Sequence, residues 1–123
     1  MNTLDEKFYD GFEGEPEIIF SLVKSNGEKE EIGIWDGYFN VIMNKIKPQK
    51  EGWTSLAYYF QLYIGWYDES PWLISNIPEA CEQLKEIDKE SFENKEEKEI
   101  LESIICMLEK AIFNNEKVYI SYE

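Results

Sequence analysis

Apolar residues recur along this chain with two different periods, and the changes of period divide it into elements. Glu17-Ile18-Ile19-Phe20-Ser21-Leu22-Val23 is apolar and rich in β-branched residues, and Glu30-Glu31-Ile32-Gly33-Ile34-Trp35 alternates polar with apolar. Both read as strands. Ser25-Asn26-Gly27-Glu28 lies between them, and Asn-Gly accepts the positive φ angles of a tight turn, so the segment predicts a β-hairpin. From Tyr38 the period lengthens. Tyr38, Phe39, Ile42, Met43 and Ile46 stand three and four apart, Asp36 can cap the helix they predict, and Pro48 ends it. A second helical pattern runs Leu56, Phe60, Tyr63, Ile64, Tyr67, with Thr54 or Ser55 as N-cap and Gly65 loosening the last turn. Tyr58, Tyr59 and Gln61 fall off that face. This helix is therefore expected at the centre of the core, with a second, tyrosine-bearing face free for a partner.

Past the polar break Asp68-Glu69-Ser70-Pro71, Trp72-Leu73-Ile74 reads as extended. Asn76-Ile77-Pro78-Glu79 has the form of a helix start: a capping Asn, a proline in the first turn and an acid at the capping-box position. Ile77, Ala80, Cys81, Leu84 and Ile87 then form a stripe, and a charged connector over 88–93 leads to a second start at Asn94-Lys95-Glu96-Glu97. The longest stripe follows, Ile100, Leu101, Ile104, Ile105, Leu108, Ala111 and Ile112; it suits a core, and it could equally serve a homodimer. Phe113-Asn114-Asn115-Glu116 ends this helix, and Lys117–Tyr122 alternates as a last strand. The predicted fold is α+β: a small antiparallel sheet, made of the N-terminal hairpin and the C-terminal strand, packed against about four helices. Residues 1–123 form a single domain in this reading. Within it, residues 1–16 are acidic, and their pattern leaves a short helix, a loose arm and an edge strand all open.

Composition adds weight to the aromatic segment and sets limits on partners. Residues 52–67 and Trp72 hold eight of the nineteen aromatic residues, and each aromatic can bury about 150–250 Å². With 43% hydrophobic and 15% aromatic residues, the 123-residue chain can build a core despite its charge. The formal net charge is −14, and there is no histidine. Such a chain repels nucleic acid and anionic membrane and attracts a basic surface. Cys81 and Cys106 are too few for a disulfide framework or zinc site, and both read as small buried hydrophobes in a reducing compartment. Met1–Glu6 lacks the basic and apolar regions of a secretory signal, and the aromatic segment is too polar for a membrane span. A cytoplasmic protein is expected.

Catalytic motifs are missing from the pattern. Without histidine there are no Ser-His or Cys-His pairs and no histidine metal ligands. Asp10-Gly11-Phe12-Glu13-Gly14 is too acidic to cradle phosphate. Asp68 and Glu69, beside Trp66, Tyr67 and Trp72, could be read as a glycosidase acid/base pair, but neighbours in sequence do not normally face one pocket. A solvated turn is the simpler reading. No cofactor and no metal is expected, and no calcium-loop spacing occurs. The acids most suited to a cationic partner are Asp5, Asp10, Glu13 and Glu15, where only Lys7 offsets them, together with Asp68 and Glu69.

Trp35-Asp36-Gly37-Tyr38-Phe39-Asn40-Val41-Ile42-Met43-Asn44 resembles the W-G-x-x-F-P-x-I-M-N type of segment in the immunity protein 70 family of bacterial polymorphic toxin systems, with Asn40 in place of the proline. Ser75–Ala80 and Glu82–Ile87 resemble a later helix of that family. The resemblance implies a cytoplasmic antitoxin that neutralises the C-terminal domain of a secreted or contact-delivered toxin, for example a nuclease, by stoichiometric binding over its active site. Tyr58, Tyr59, Tyr63 and Tyr67 would then be the anchors, with Asp10, Glu13, Glu15, Asp68 and Glu69 as the acidic rim. Three other classes compete: a regulatory or adaptor subunit, a nucleic-acid mimic with acids at phosphate-like spacing, and a small enzyme using carboxylates alone.

Overall fold

The computed structural model of the chain describes residues 2–123. β2 (Glu17–Val23) and β3 (Lys29–Trp35) form the expected hairpin, in register from Glu17↔Trp35 to Val23↔Lys29. Its turn is closed by hydrogen bonds from Gly27 N to Lys24 O (2.9 Å) and from Lys24 N to Glu28 O (2.8 Å). Gly27 sits there at φ +89°, a conformation that costs glycine little. β5 (Lys117–Tyr122) adds antiparallel on the other side of β2, which makes β2 the central strand.

The sheet then grows at both edges. β1 (Thr3–Phe8) runs parallel to β3, and the two-residue β4 (Trp72–Leu73) pairs antiparallel with β5, giving the order β1-β3-β2-β5-β4. The sheet is therefore five-stranded and mixed, larger than the small antiparallel sheet expected. Residues 1–16 settle the open choice in favour of an edge strand among the described residues. Local pattern did not reveal it because Thr3–Lys7 are all exposed and only Phe8 is buried, so backbone pairing, not side-chain burial, holds β1 in place.

Four helices cover one face: α1 (Asp36–Met43), α2 (Ser55–Leu62), α3 (Ile77–Lys85) and α4 (Lys95–Asn114). Against them the sheet presents Ile18, Phe20, Leu22, Ile34, Val118 and Ile120, each wholly buried. The two asparagine caps act as expected. Asn76 Oδ1 accepts from Glu79 N at 3.1 Å, and Asn94 Oδ1 accepts from Glu96 N at 2.9 Å. The α4 stripe from Ile100 to Ala111 is buried within the chain; Ile112 departs from it and is exposed. Cys81 is buried, whereas Cys106 lies on the outer side of α4 and is exposed, contrary to the expectation for both.

The aromatic segment differs most from its reading. α2 stops at Leu62, because Tyr63 takes a left-handed conformation (φ +59°) and ends the helix; Gly65, Trp66 and Tyr67 then form a separate 3-10 turn. The break turns Tyr63 outward and drives Trp66, absent from the helical stripe, into the core at 0% exposure. Neither Thr54 nor Asp36 caps with its side chain: Thr54 makes no such bond, and Asp36 is the first helical residue of α1.

Candidate functional site

Aromatic and acidic side chains gather at the end of the sheet where β2 begins and β3 and β5 finish. Trp35, the last residue of β3, stacks on Phe12 (ring centroids 4.0 Å apart) and meets Tyr38 of α1 edge-on at 5.0 Å. The turn Tyr9–Pro16 is folded back onto this cluster. Tyr9 OH donates to Glu15 O at 2.5 Å, and Asp36 N donates to Pro16 O at 3.1 Å. Trp35 Nε1 points at Glu15 Oε1, 3.4 Å away. Glu15 is thus held beside an aromatic cluster by the fold of its own loop.

A second aromatic group joins the first through Asp36. Tyr63 stacks on Tyr67 at 4.1 Å, and Tyr67 meets Tyr122 of β5 edge-on at 5.1 Å. Asp36 Oδ2 accepts from Asn40 Nδ2 at 3.0 Å, while its buried Oδ1 has no hydrogen-bond partner among the described residues. Burial raises the Asp36 carboxyl above its ordinary value; the Asn40 amide opposes this, and the charge of Glu15 adds to it. The phenols of Tyr67 and Tyr122 are raised too, first by burial and then, among charges, by Asp36. The Trp66 indole N–H pulls Tyr67 the other way, although it makes no hydrogen bond of good geometry. These phenols therefore stay protonated at neutral pH and can donate a hydrogen bond to a partner.

Of the residues expected to bind, Glu15, Tyr63 and Tyr67 come together at this end. Asp68 and Glu69 are exposed on the turn that follows Tyr67, and the next residue, Ser70, accepts from Tyr122 N with its Oγ at 2.9 Å. Asp10 and Glu13 lie at the sheet edge, where with Glu6, Lys7 and Tyr9 they line a depression of about 370 Å³. Tyr58 and Tyr59 are elsewhere. Tyr59 packs on Trp72 (4.5 Å) and against Gly65, and Tyr58 stands beside it, both lining a small 130 Å³ cleft next to α3. Among the described residues neither makes a ring contact with Tyr63 or Tyr67.

Four members of the site were missed: Phe12, Trp35, Asp36 and Tyr122. Tyr122 and Trp35 are strand residues whose alternation marked them as sheet, and only the pairing of β5 and β3 on either side of β2 brings both to the same end. Among the described residues, no group of three or more His, Cys, Asp or Glu is arranged to hold a metal ion, and no helix is long and apolar enough to cross a membrane. Comparison of the chain with protein-family models, curated proteins and solved structures found no match.

Proposed function

We propose that the chain is a cytoplasmic immunity protein that neutralises the C-terminal domain of a toxin, for example a nuclease, by covering its active site. One observation carries the reading: the exposed acids Glu15, Asp68 and Glu69 share the end of the sheet with exposed Tyr63 and half-buried Tyr67, on a protein of net charge −14. Tyrosine and tryptophan supply large contact area at small cost in side-chain entropy, and a rim of one charge steers a partner of the other. Tyr63 and Tyr67 are the anchors, supported by Trp35 and Tyr122, and Glu15, Asp68 and Glu69 form the rim. The resemblance to immunity protein 70 segments around Trp35–Asn44 supports the same reading, because those residues open α1 beside this surface. An adaptor subunit would use the same surface and differ only in its partner.

Co-expression with the protein encoded directly upstream tests it. The expected result is a one-to-one complex on gel filtration, loss of that protein's toxicity, and a lower association rate at higher salt. A toxic upstream product left active by an excess of the chain would overturn the reading.

A further inference from the structure

Tyr58 and Tyr59 have no part in the anchor pair, Tyr63 and Tyr67, yet the fold builds an aromatic cleft around them. Tyr59 meets Tyr58 edge-on at 5.2 Å (86°) and leans against Trp72 of β4 at 4.5 Å (52°). Three rings thus stand at steep angles to one another and line one opening. Buried Leu56 and Ile74 line it too, and its volume is about 130 Å³. A drug-sized ligand takes about 300–1,000 Å³, so there is room here for one side chain. Tyr58, 43% exposed, and the exposed Glu79 of α3 mark the side that is open to solvent.

Glu79 is the one charged residue of that lining, and among the described residues no lysine pairs with its carboxylate. The cleft adjoins the start of α3, but that helix end has few N–H groups left for an anion. Pro78 has none, Glu79 N donates to Asn76 Oδ1 at 3.1 Å, and Ala80 N donates to Asn76 O at 3.1 Å. Aromatic faces carry the negative side of the ring quadrupole, and with a carboxylate beside them they attract a cation. We propose that this cleft is the socket for a lysine side chain of a basic protein partner. The lysine stem covers the rings, as long cationic side chains cover apolar surface, and its ammonium reaches Glu79. A lysine head is a compact point charge that fits a small cleft with a single carboxylate, whereas a guanidinium is a broad planar fork. The net charge of −14 favours the same sign of partner. This deepens the reading above, rests on it for the basic character of the partner, and adds a point of contact besides Tyr63 and Tyr67.

The test titrates the full chain with the peptide acetyl-Gly-Lys-Gly-amide in about 0.15 M salt, followed by amide and indole N–H NMR shifts. Peptides with norleucine and with arginine in place of the lysine are the controls. Saturable shifts centred on Tyr58, Trp72 and Glu79 are expected for the lysine peptide, with weaker binding of the arginine peptide and the weakest of the norleucine one. Tyr58→Leu removes a ring and keeps an apolar side chain; Glu79→Gln removes the charge and keeps the backbone N–H bound by Asn76. Each should weaken binding about two- to fivefold. Glu82→Gln, at an acid of α3 that is 74% exposed and outside the lining, should leave binding unchanged. The proposal is overturned by equal weakening from Glu79→Gln and Glu82→Gln, by norleucine or arginine binding as tightly as lysine, or by the absence of saturable shifts. Because the peptide stands in for the partner, failure here removes the socket alone. Failure of the co-expression test removes the immunity reading and leaves the socket.

Discussion

Glu17 makes the stability of this protein depend on pH in a direction unusual for an acid. Burial, then Glu6 and Glu123, raise its carboxyl from 4.5 to about 8, so the folded state binds the proton more tightly than the unfolded chain does. The stability gained is complete below the unfolded value and is lost as pH rises through the folded one. Urea unfolding should therefore show a fall of roughly 1–3 kcal/mol between about pH 5 and about pH 9. Glu17→Gln should flatten that fall; an unchanged slope would mean that Glu17 is ionised in the fold. Glu30 has the opposite sign. Lys110 first, at 2.7 Å, and then Lys24, at 2.9 Å, hold its carboxyl below the ordinary value. Its contribution is present above that value and disappears in acid, so Glu30→Gln should lower stability at neutral pH and flatten the acid limb of the same curve.

The elements divide into those held by their ends and those held by their faces. α3 and α4 begin on asparagine caps that each satisfy a backbone N–H otherwise left unpaired. Asn76→Ala and Asn94→Ala should each lower unfolding free energy by about 1 kcal/mol, and glycine at either site by only a few tenths. A loss as large for aspartate, which keeps a side-chain acceptor, as for alanine would show that the cap bond is not the cause. The aromatic segment is held by one side chain beyond its helix. Trp66 is fully buried and meets Phe39 at 5.8 Å and Trp72 at 5.5 Å. Trp66→Ala should cost roughly 3–5 kcal/mol, whereas Tyr63→Ala, at a residue 67% exposed, should cost under about 1 kcal/mol. The reverse order in urea unfolding would place the core contact on the helix instead of on the turn after it.

At the scale of the whole molecule, charge is the dominant variable. A net charge of −14 repels itself, and salt screens that repulsion, so the melting temperature of the free protein should rise from low salt to about 0.2 M. In the complex proposed above, the same charge would steer a basic partner. Glu15→Lys and Glu69→Lys should each slow association with the cognate domain and reduce its salt dependence, while dissociation changes less. Stopped-flow association rates over a salt series decide this; unchanged rates would count against steering. Tyr63→Ala should act mainly on dissociation, because an anchor is felt once the complex has formed.

Period and punctuation determined most of the elements. The hairpin, the helices with their asparagine caps, and the last strand were legible because burial on one face imposes a spacing of two or of three and four, and because Asn, Gly and Pro act locally. β1 was not legible: its stability comes from pairing with β3, and an exposed acidic strand carries no apolar alternation. Nor was the break after Leu62, since Tyr63 and Tyr67 keep helical spacing and only packing decides that Trp66 goes inward in their place. The site shows the same division. Tyrosines and acids could be picked out by type, which named Glu15, Tyr63 and Tyr67 and also Tyr58 and Tyr59, which lie elsewhere. Trp35, Asp36 and Tyr122 join the site, and Glu6 meets Glu17 over Gly33, only because strands distant in sequence lie side by side. Local sequence records what each residue prefers around it; which residues become neighbours is decided by the order of the strands.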